Sequence, residues 1–196
     1  MYIYTIVFLD IMLEVGDTAP DFTLRGVRDG ENQSYSLSDE TGDGNHVVLF
    51  FYPADFSPVC TPEMCAIRDS VFFEFTPNVS PWGISSDTTY AHKAFAQQYD
   101  LNFPLLSDTD CSVAESYNVR YEEWEGQRNI PKRGVFLVDP QRRLRYIWTS
   151  DDAYVDPDLW PLKDALDEAI ESGVETDIST ESLEPDYDAV EFEELD

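Results

Sequence analysis

The stretch HVVLFFYPADFSPVCTPEMC, residues 46–65, decides how this chain folds and where its reactive chemistry lies. Residues 46–52 form a continuous apolar run rich in β-branched and aromatic side chains, which is typical of a strand covered on both faces of a sheet. A helix is predicted from about residue 61 to residue 75. Cys60 therefore lies just beyond the end of a central strand, where a helix begins.

The position of Cys60 predicts an unusual thiol. Open α/β sheets place their chemistry at strand ends, where the next helix presents its free N–H groups and the positive end of its dipole. A thiol at such a place should ionise easily. Cys65 follows five residues later in the same predicted helix. The choice of residues in this segment is hard to explain by folding alone.

The remaining pattern predicts one α/β domain. The chain has 196 residues, of which 42% are hydrophobic, and can bury one full core. The other predicted elements are a hairpin of 22–24 with 33–36, a strand at 79–85, helices at 88–99, 111–117 and 158–172, and a hairpin of 135–138 with 144–149. This order predicts a thioredoxin-like fold with an added N-terminal hairpin and an inserted helix.

Two of the predicted helices have defined ends. The helix at 88–99 is expected to follow an N-cap at Ser86 or Asp87. Its apolar face is predicted to consist of Ala91, Ala94, Phe95 and Tyr99. The last helix is expected to end at Gly173, because glycine commonly follows a helix C-terminus.

The domain is expected to span residues 13–173. Residues 1–12 are interpreted as an N-terminal extension, since they lack the basic flank of a signal peptide and are too short to span a bilayer. Met12 is an alternative start of the chain. Residues 174–196 are dominated by acids and are expected to form a mobile tail.

The chain is strongly acidic, with a net charge of −28 from 40 acidic and 12 basic residues. Nucleic-acid binding is disfavoured, because phosphate contacts need clustered Lys and Arg. At molar salt the Debye length falls to about 3 Å, which screens the self-repulsion of so many carboxylates. We interpret the acidity as adaptation to a salt-rich cytoplasm. The 3 cysteines favour catalytic or redox use over a secreted disulfide framework.

Pro53, Ser57 and Cys60 follow the spacing P-x-x-x-S-x-x-C, which resembles the peroxidatic motif of the peroxiredoxins. Further similar segments occur in the same order across residues 13–149: Ala19-Pro20-Asp21-Phe22, Gly83-Ile84-Ser85-Ser86-Asp87, Phe103-Pro104-Leu105-Leu106-Ser107-Asp108, and Arg133 three residues before Phe136. Each residue alone has a plain structural explanation, such as a small buried cysteine or a surface arginine. The ordered set favours the resemblance.

The resemblance implies a role for each residue of the motif. Cys60 would attack the O–O bond of a hydroperoxide as a thiolate, and Arg133 would supply a cation and hold the peroxide oxygens. Ser57 would hydrogen-bond the thiolate and the peroxide together. Pro53 would shield the thiolate from bulk water. Glu63 matches a position that is commonly acidic in the family, where it would orient an arginine.

Cys65 is the candidate for the resolving thiol, which reacts with the sulfenic acid formed on Cys60. The five-residue spacing resembles the bacterioferritin-comigratory, or Q-type, peroxiredoxins. On an ideal helix the two Cα atoms would be roughly 8.7 Å apart, whereas a disulfide needs less than about 7 Å. Residues 57–66 must therefore unwind before a bridge can form. The other interpretation of Cys65 is core packing, and Cys111 is expected to be incidental or an alternative resolving thiol.

The predicted function is cytoplasmic reduction of hydrogen peroxide and organic hydroperoxides, with a Cys60–Cys65 disulfide recycled by a thioredoxin-like or glutaredoxin-like donor. We expect no metal or organic cofactor, no nucleic-acid or membrane partner, and a monomer or weak homodimer. The alternative is a redox-sensing or holdase protein that uses the same Cys60 without efficient turnover. A dithiol oxidoreductase is disfavoured because Ser57 replaces the first cysteine of C-x-x-C. A zinc site is disfavoured because His46 and His92 lack ligand spacing to the cysteines.

Overall fold

A computed structural model describes residues 12–177, which form a central sheet with helices on both faces. The strands are β1 Thr23–Arg28, β2 Glu31–Ser36, β3 His46–Phe51, β4 Val79–Ser85, β5 Leu105–Ser107, β6 Arg120–Tyr121, β7 Ile130–Pro131, β8 Arg133–Val138 and β9 Leu144–Ser150. The helices are α1 Leu37–Gly42, α2 Cys60–Arg68, α3 Val71–Phe75, α4 Thr89–Tyr99, α5 Ser112–Ser116 and α6 Leu159–Asp177. Both predicted hairpins and the strands predicted near 46–52 and at 79–85 are confirmed.

The sheet within these residues has seven strands in the order β2-β1-β5-β4-β3-β8-β9, and β6 pairs with β7 as a separate ribbon. β3 lies at its centre, parallel to β4 and antiparallel to β8. All six residues of β3 are buried, as expected for a strand covered on both faces. The mixed sheet with flanking helices confirms the predicted α/β, thioredoxin-like fold.

The alternation of side chains along β3 divides the core into two layers. One layer contains Val47, Leu49 and Phe51 with residues of α1 and α5. The other layer contains Val48, Phe50 and Tyr52 with residues of α2, α4 and α6. Because α2 packs against this second layer, its N-terminus lies beside the end of β3.

The helix predicted over 61–75 is wrong as a single element. α2 begins one residue earlier, at Cys60, and ends at Arg68, while α3 begins at Val71. Between them the Ser70 hydroxyl donates to the Ala66 carbonyl oxygen (2.6 Å), and the Ser70 N–H donates to the Ile67 carbonyl oxygen (3.1 Å). Such local bonds compete with the helical pattern.

The helix predicted at 88–99 is confirmed, with corrections at its cap and face. Thr88 is the N-cap, and its Oγ1 accepts from the Ala91 N–H at 3.4 Å, so Ser86 and Asp87 do not cap it. On the buried face the structure places His92 beside Phe95. Ala94, which was predicted to belong to that face, is exposed.

Four elements were not predicted, and one helix is longer than expected. β5 joins β1 to β4 and so ties the N-terminal hairpin into the main sheet. α1 and the β6–β7 ribbon lie in segments without a clear apolar period. α6 continues through Gly173 to Asp177, so glycine does not end it.

Most of the predicted extension at 1–12 and tail at 174–196 lies outside the described residues. Residues 1–11 and 178–196 fall in this category. Across residues 12–177, none of the helices combines the length and the apolar composition needed to cross a membrane.

Candidate active site

Cys60 is the first residue of α2, and it is 1% exposed. The loop 53–59 connects it to β3. The backbone N–H of Cys60 donates to Ser57 Oγ (3.0 Å), and the N–H of Thr61 donates to the Ser57 carbonyl oxygen (3.1 Å). Ser57 therefore starts the helix by accepting N–H groups that otherwise have no partner at a helix N-terminus.

Arg133 approaches Cys60 from the neighbouring strand. It is the first residue of β8, and because β8 runs antiparallel to β3, its beginning lies beside the end of β3. The side chain is 0% exposed. Its Nη2 donates to Cys60 Sγ at 3.4 Å, and its Nε donates to the Ala153 carbonyl oxygen at 2.7 Å. The guanidinium is thus fixed against the sulfur in an environment without bulk water.

Glu63 completes the surroundings of the guanidinium. It lies one helical turn after Cys60 in α2, is 5% exposed, and forms an ion pair with Nη1 of Arg133. Asp156 adds a more distant carboxylate at 3.7 Å from the same nitrogen. A buried cation without a countercharge is costly, so Glu63 both neutralises Arg133 and fixes its orientation. The prediction that Glu63 orients an arginine agrees with this contact.

A pocket of about 250 Å³ brings Pro53, Ser57 and Cys60 together on one wall. Its other lining residues were not predicted: Ala54, Pro58, Val59, Trp124, Glu125, Ala153 and Tyr154. The Tyr154 hydroxyl donates to Glu125 Oε1 at 2.8 Å, which connects the segment before α6 to the β6–β7 ribbon. No sequence signal marked Trp124, Glu125, Ala153 and Tyr154, because these residues reach the pocket from segments that are distant from Cys60 along the chain.

A second group of polar side chains lies beneath the loop 53–59 and was also missed. Asp55 accepts from the Tyr52 hydroxyl (2.8 Å) and lies 2.9 Å from Nδ1 of His92 in α4. Asp87 Oδ2 accepts from the backbone N–H of Asp55 at 2.8 Å. Burial raises the pKa of Tyr52 well above its ordinary value, and the Asp55 carboxylate adds to this, so the phenol remains a donor. The sequence contained no pattern that would connect Asp55 with His92.

The three cysteines are all free thiols. Cys65 is partly buried on the same continuous helix as Cys60, which keeps their Cα atoms roughly 8.7 Å apart if the helix is ideal. Cys111 is fully buried, and burial, followed by the charge of Asp108, raises the pKa of its thiol to about 12. Between residues 12 and 177, no three His, Cys, Asp or Glu side chains lie together in a way that could hold a metal ion.

A buried cysteine at a strand-to-helix junction, paired with an arginine from the next strand, defines a thiol-based redox protein of the thioredoxin-like class. Residues 15–147 match the AhpC/TSA family. The chain belongs to this family, and the predicted peroxiredoxin resemblance is confirmed. It is accordingly a thiol-dependent peroxidase.

Individual relatives support the same assignment. The chain is 38% identical over 138 residues to a putative peroxiredoxin bcp of Coxiella burnetii, covering 69% of this chain and 88% of that protein. It is 35% identical over 144 residues to peroxiredoxin Bcp of Bacillus subtilis, covering 69% and 85% respectively. Among solved structures it is similar to peroxidoxin BcpB of Mycobacterium tuberculosis, with 30% identity, a TM-score of 0.63, and coverage of 82% of this chain and 96% of that one.

Proposed function

We propose that Cys60 is the thiol that reduces hydroperoxides, in the pocket that it lines together with Pro53 and Ser57, and with the guanidinium of Arg133 against its sulfur. The observation that carries this assignment is the buried contact of Arg133 Nη2 with Cys60 Sγ at 3.4 Å. The positive charge of the guanidinium therefore lies beside the sulfur that is proposed to attack as a thiolate.

The first step is attack of the Cys60 thiolate on the O–O bond. A sulfur electron pair forms the S–O bond, the O–O bond breaks, and the leaving oxygen takes a proton, which gives Cys60 sulfenic acid and water or an alcohol. Arg133 stabilises the negative charge that grows on the oxygens as the bond breaks. Ser57 Oγ accepts from the Cys60 N–H and retains its own hydrogen for donation to the sulfur or the peroxide.

Pro53 has a supporting role in this proposal. It lines the wall of the pocket and offers no N–H that would compete for the peroxide oxygens. Together with the apolar atoms around Cys60, it keeps bulk water away from the reacting sulfur, where the field of Arg133 then acts with little screening.

In the second step we propose that the Cys65 thiol attacks the sulfenic acid, which releases water and forms the Cys60–Cys65 disulfide. The separation on an intact helix, roughly 8.7 Å, exceeds the limit of about 7 Å for a disulfide. The start of α2 must therefore unwind. Pro58 and Pro62 favour this, since proline cannot donate to a helical hydrogen-bond ladder.

The disulfide would then be reduced by a dithiol donor of the thioredoxin-like or glutaredoxin-like kind. We further propose that the protein acts on hydrogen peroxide and on organic hydroperoxides, as a monomer or weak homodimer, in a salt-rich cytoplasm. The pocket volume of about 250 Å³ supports the inclusion of organic hydroperoxides. One water occupies about 30 Å³ in the liquid, so the pocket has room for a molecule larger than hydrogen peroxide. The net charge of −28 supports the salt-rich setting.

Peroxide consumption at molar salt with a thioredoxin system, comparing the wild type with Cys60→Ser and Cys65→Ser, tests the proposal. Cys60→Ser should abolish turnover, while Cys65→Ser should keep the first oxidation and lose recycling. Equal rates for Cys60→Ser and the wild type would overturn the assignment of Cys60. A wild type that oxidises rapidly once but does not recycle would favour the redox-sensing alternative.

A further inference from the structure

The buried cluster of Asp55, His92 and Tyr52 has no part in the chemistry proposed above. The side chains of Asp55 and His92 are 1% and 0% exposed, yet both are polar. Buried polar groups of this kind lower stability unless every hydrogen-bonding atom is paired. The cluster also joins separate elements, because Asp55 belongs to the loop 53–59 and His92 belongs to α4.

The hydrogen bonds of His92 define how many protons the pair contains. Its Nε2 lies 3.1 Å from the Leu106 carbonyl oxygen, which can only accept, so Nε2 carries a hydrogen. Its Nδ1 lies 2.9 Å from Asp55 Oδ2, and one hydrogen must lie between those two atoms. The pair therefore contains one shared proton in addition to the Nε2 hydrogen, whether that proton is formally on the imidazole or on the carboxyl group.

The pair anchors a loop that is conformationally strained. Phe56, directly after Asp55, has φ of 60°, a left-handed conformation that a bulky side chain seldom adopts. Its ring packs on Phe95 of α4, with ring centroids 5.0 Å apart. The Asp55 N–H is fixed by Asp87 Oδ2 at 2.8 Å. Such a conformation persists only when the surrounding contacts over-determine it.

Ser57 follows Phe56 directly, and Ser57 Oγ accepts the N–H of Cys60. Any relaxation of Phe56 would therefore move the hydroxyl that starts α2, and Cys60 with it. An error of about 1 Å in such a position can lower a rate by about 100-fold. The anchoring contacts of Asp55 thus act on the position of the reacting sulfur, although none of them touches it.

We propose that His92 and Asp55 are positioning residues, which hold the strained loop so that Ser57 and Cys60 are aligned for attack on the peroxide. The inference rests on the proposed role of Cys60. The loop is held by the hydrogen bonds of Asp55 with Tyr52 and His92, and a negative charge on Asp55 is not required. An amide at position 55 can accept from Tyr52 and donate to Nδ1 of a neutral His92, so it preserves the geometry.

The experiment uses a Cys65→Ser/Cys111→Ser background, in which Cys60 is the sole cysteine. Into it are introduced Asp55→Ala, Asp55→Asn, His92→Phe and the near-isosteric Tyr52→Phe. For each, the second-order rate of Cys60 oxidation by hydrogen peroxide is measured beside its rate of alkylation by iodoacetamide. Loss of folded protein lowers the signal of both reactions. Misalignment of Cys60 for attack on peroxide instead lowers the ratio of the oxidation rate to the alkylation rate.

We expect Asp55→Ala and His92→Phe to lower the peroxide-to-alkylation ratio by about 10- to 100-fold. Asp55→Asn should stay within about threefold of the background, and Tyr52→Phe should fall between, because it removes one of the contacts. Tyr117→Phe is the matched control, since it deletes a partly buried hydrogen bond, to the Pro20 carbonyl oxygen at 2.8 Å, that involves no residue of the loop 53–59. In that control the peroxide-to-alkylation ratio should equal that of the background protein.

The proposal is overturned if Asp55→Ala lowers the ratio no more than Tyr117→Phe, or if Asp55→Asn lowers it as much as Asp55→Ala. Should His92→Phe fail to fold, the variants Asp55→Ala, Asp55→Asn and Tyr52→Phe still test whether the cluster positions Cys60. Failure of the underlying function is recognised separately. In that case the background protein itself shows no rapid oxidation of Cys60, before any loop variant is made.

Discussion

Cys60 and Cys111 occupy similar places in the fold but have opposite surroundings. Cys60 follows β3 and starts α2, while Cys111 follows β5 and caps α5. They are 1% and 0% exposed. Cys60 contacts the guanidinium of Arg133, whereas Cys111 lies near the carboxylate of Asp108.

The comparison shows that a strand-to-helix position does not by itself make a thiol reactive. Burial favours the neutral thiol and a neighbouring carboxylate adds to that effect, as the raised pKa of Cys111 illustrates, and the charge of nearby Arg120 does not offset them. The helix following Cys111 is also only five residues long. The difference between the two cysteines therefore lies chiefly in the charge that tertiary structure brings to each.

The largest expected effect comes from removing the cation. Arg133→Met should lower the rate of Cys60 oxidation by peroxide by about 100- to 1,000-fold, the usual loss on deleting a donor that stabilises developing negative charge. Rapid mixing with hydrogen peroxide measures this rate. Because Glu63 would be left buried without a partner, Arg133→Met/Glu63→Gln is made in parallel and should be equally slow.

The matched control for this prediction is Arg120→Met, which removes an arginine near Cys111 instead. Arg120 is paired with the exposed Glu115 at 3.0 Å, and its loss should leave the peroxide rate within about twofold of the wild type. Equal losses for the variants at 133 and 120 would contradict the comparison.

A smaller effect is expected from Glu63→Gln, which keeps an acceptor for Arg133 but removes the negative charge. We expect a roughly 10-fold lower rate, because the guanidinium loses the charged partner of its close ion pair and keeps only the more distant carboxylate of Asp156. Single-turnover oxidation and urea unfolding should be measured on the same samples. A change in unfolding midpoint without any change in rate would mean that Glu63 is purely structural.

The raised pKa of Cys111 predicts a dependence of stability on pH. The folded state prefers the neutral thiol, so its contribution to stability is complete below the ordinary thiol pKa and is lost as pH rises from about 9 towards 12. Between pH 7 and 10.5, the wild type should lose on the order of 1–2 kcal/mol more of its unfolding free energy than Cys111→Ala. Urea unfolding at both pH values measures this difference. Parallel losses in the two proteins would contradict the prediction.

The smallest effect is expected from Cys111→Ala, which should hardly change the rate of peroxide reduction at neutral pH. Its peroxide reduction with a thioredoxin system should stay within about twofold of the wild type, since a buried neutral thiol is a poor nucleophile. Loss of recycling in this variant, with the first oxidation intact, would instead assign the resolving role to Cys111. The same assay on Cys65→Ser provides the contrast.

Local pattern was sufficient to predict the elements whose sequence is continuous and apolar. β3, β4 and the β8–β9 hairpin have such sequences, and their predicted bounds agree with the structure to within a few residues. The motif around Cys60 likewise required only short-range spacing. Arg133 was predicted through family resemblance, and its contact with Cys60 across 73 positions of sequence was not visible in any local pattern.

The features that were missed depend on side-chain hydrogen bonds or on contacts between distant loops. The break after Arg68 depends on the Ser70 hydroxyl, and neither glycine nor proline marks it. The partners of Asp55 are equally unmarked, because a histidine in an otherwise amphipathic helix resembles a surface residue. Trp124 reaches the pocket from a ribbon whose strands have only two residues each.

The interruption of the helix at Ser70 also affects how fast α2 can unwind before the Cys60–Cys65 disulfide forms. Because α2 ends at Arg68, the helix that contains Cys60 and Cys65 has nine residues, whereas the helix predicted over 61–75 would have fifteen. Helix–coil relaxation takes about 0.1–1 μs even in peptides of about 20 residues, and short helices derive little stability from their own hydrogen bonds. In the proposed cycle, the opening motion would therefore be fast compared with turnover on the common scale of about 1–1,000 s⁻¹. The rate of disulfide formation would then reflect how rarely α2 detaches from the sheet, and not how quickly it unwinds.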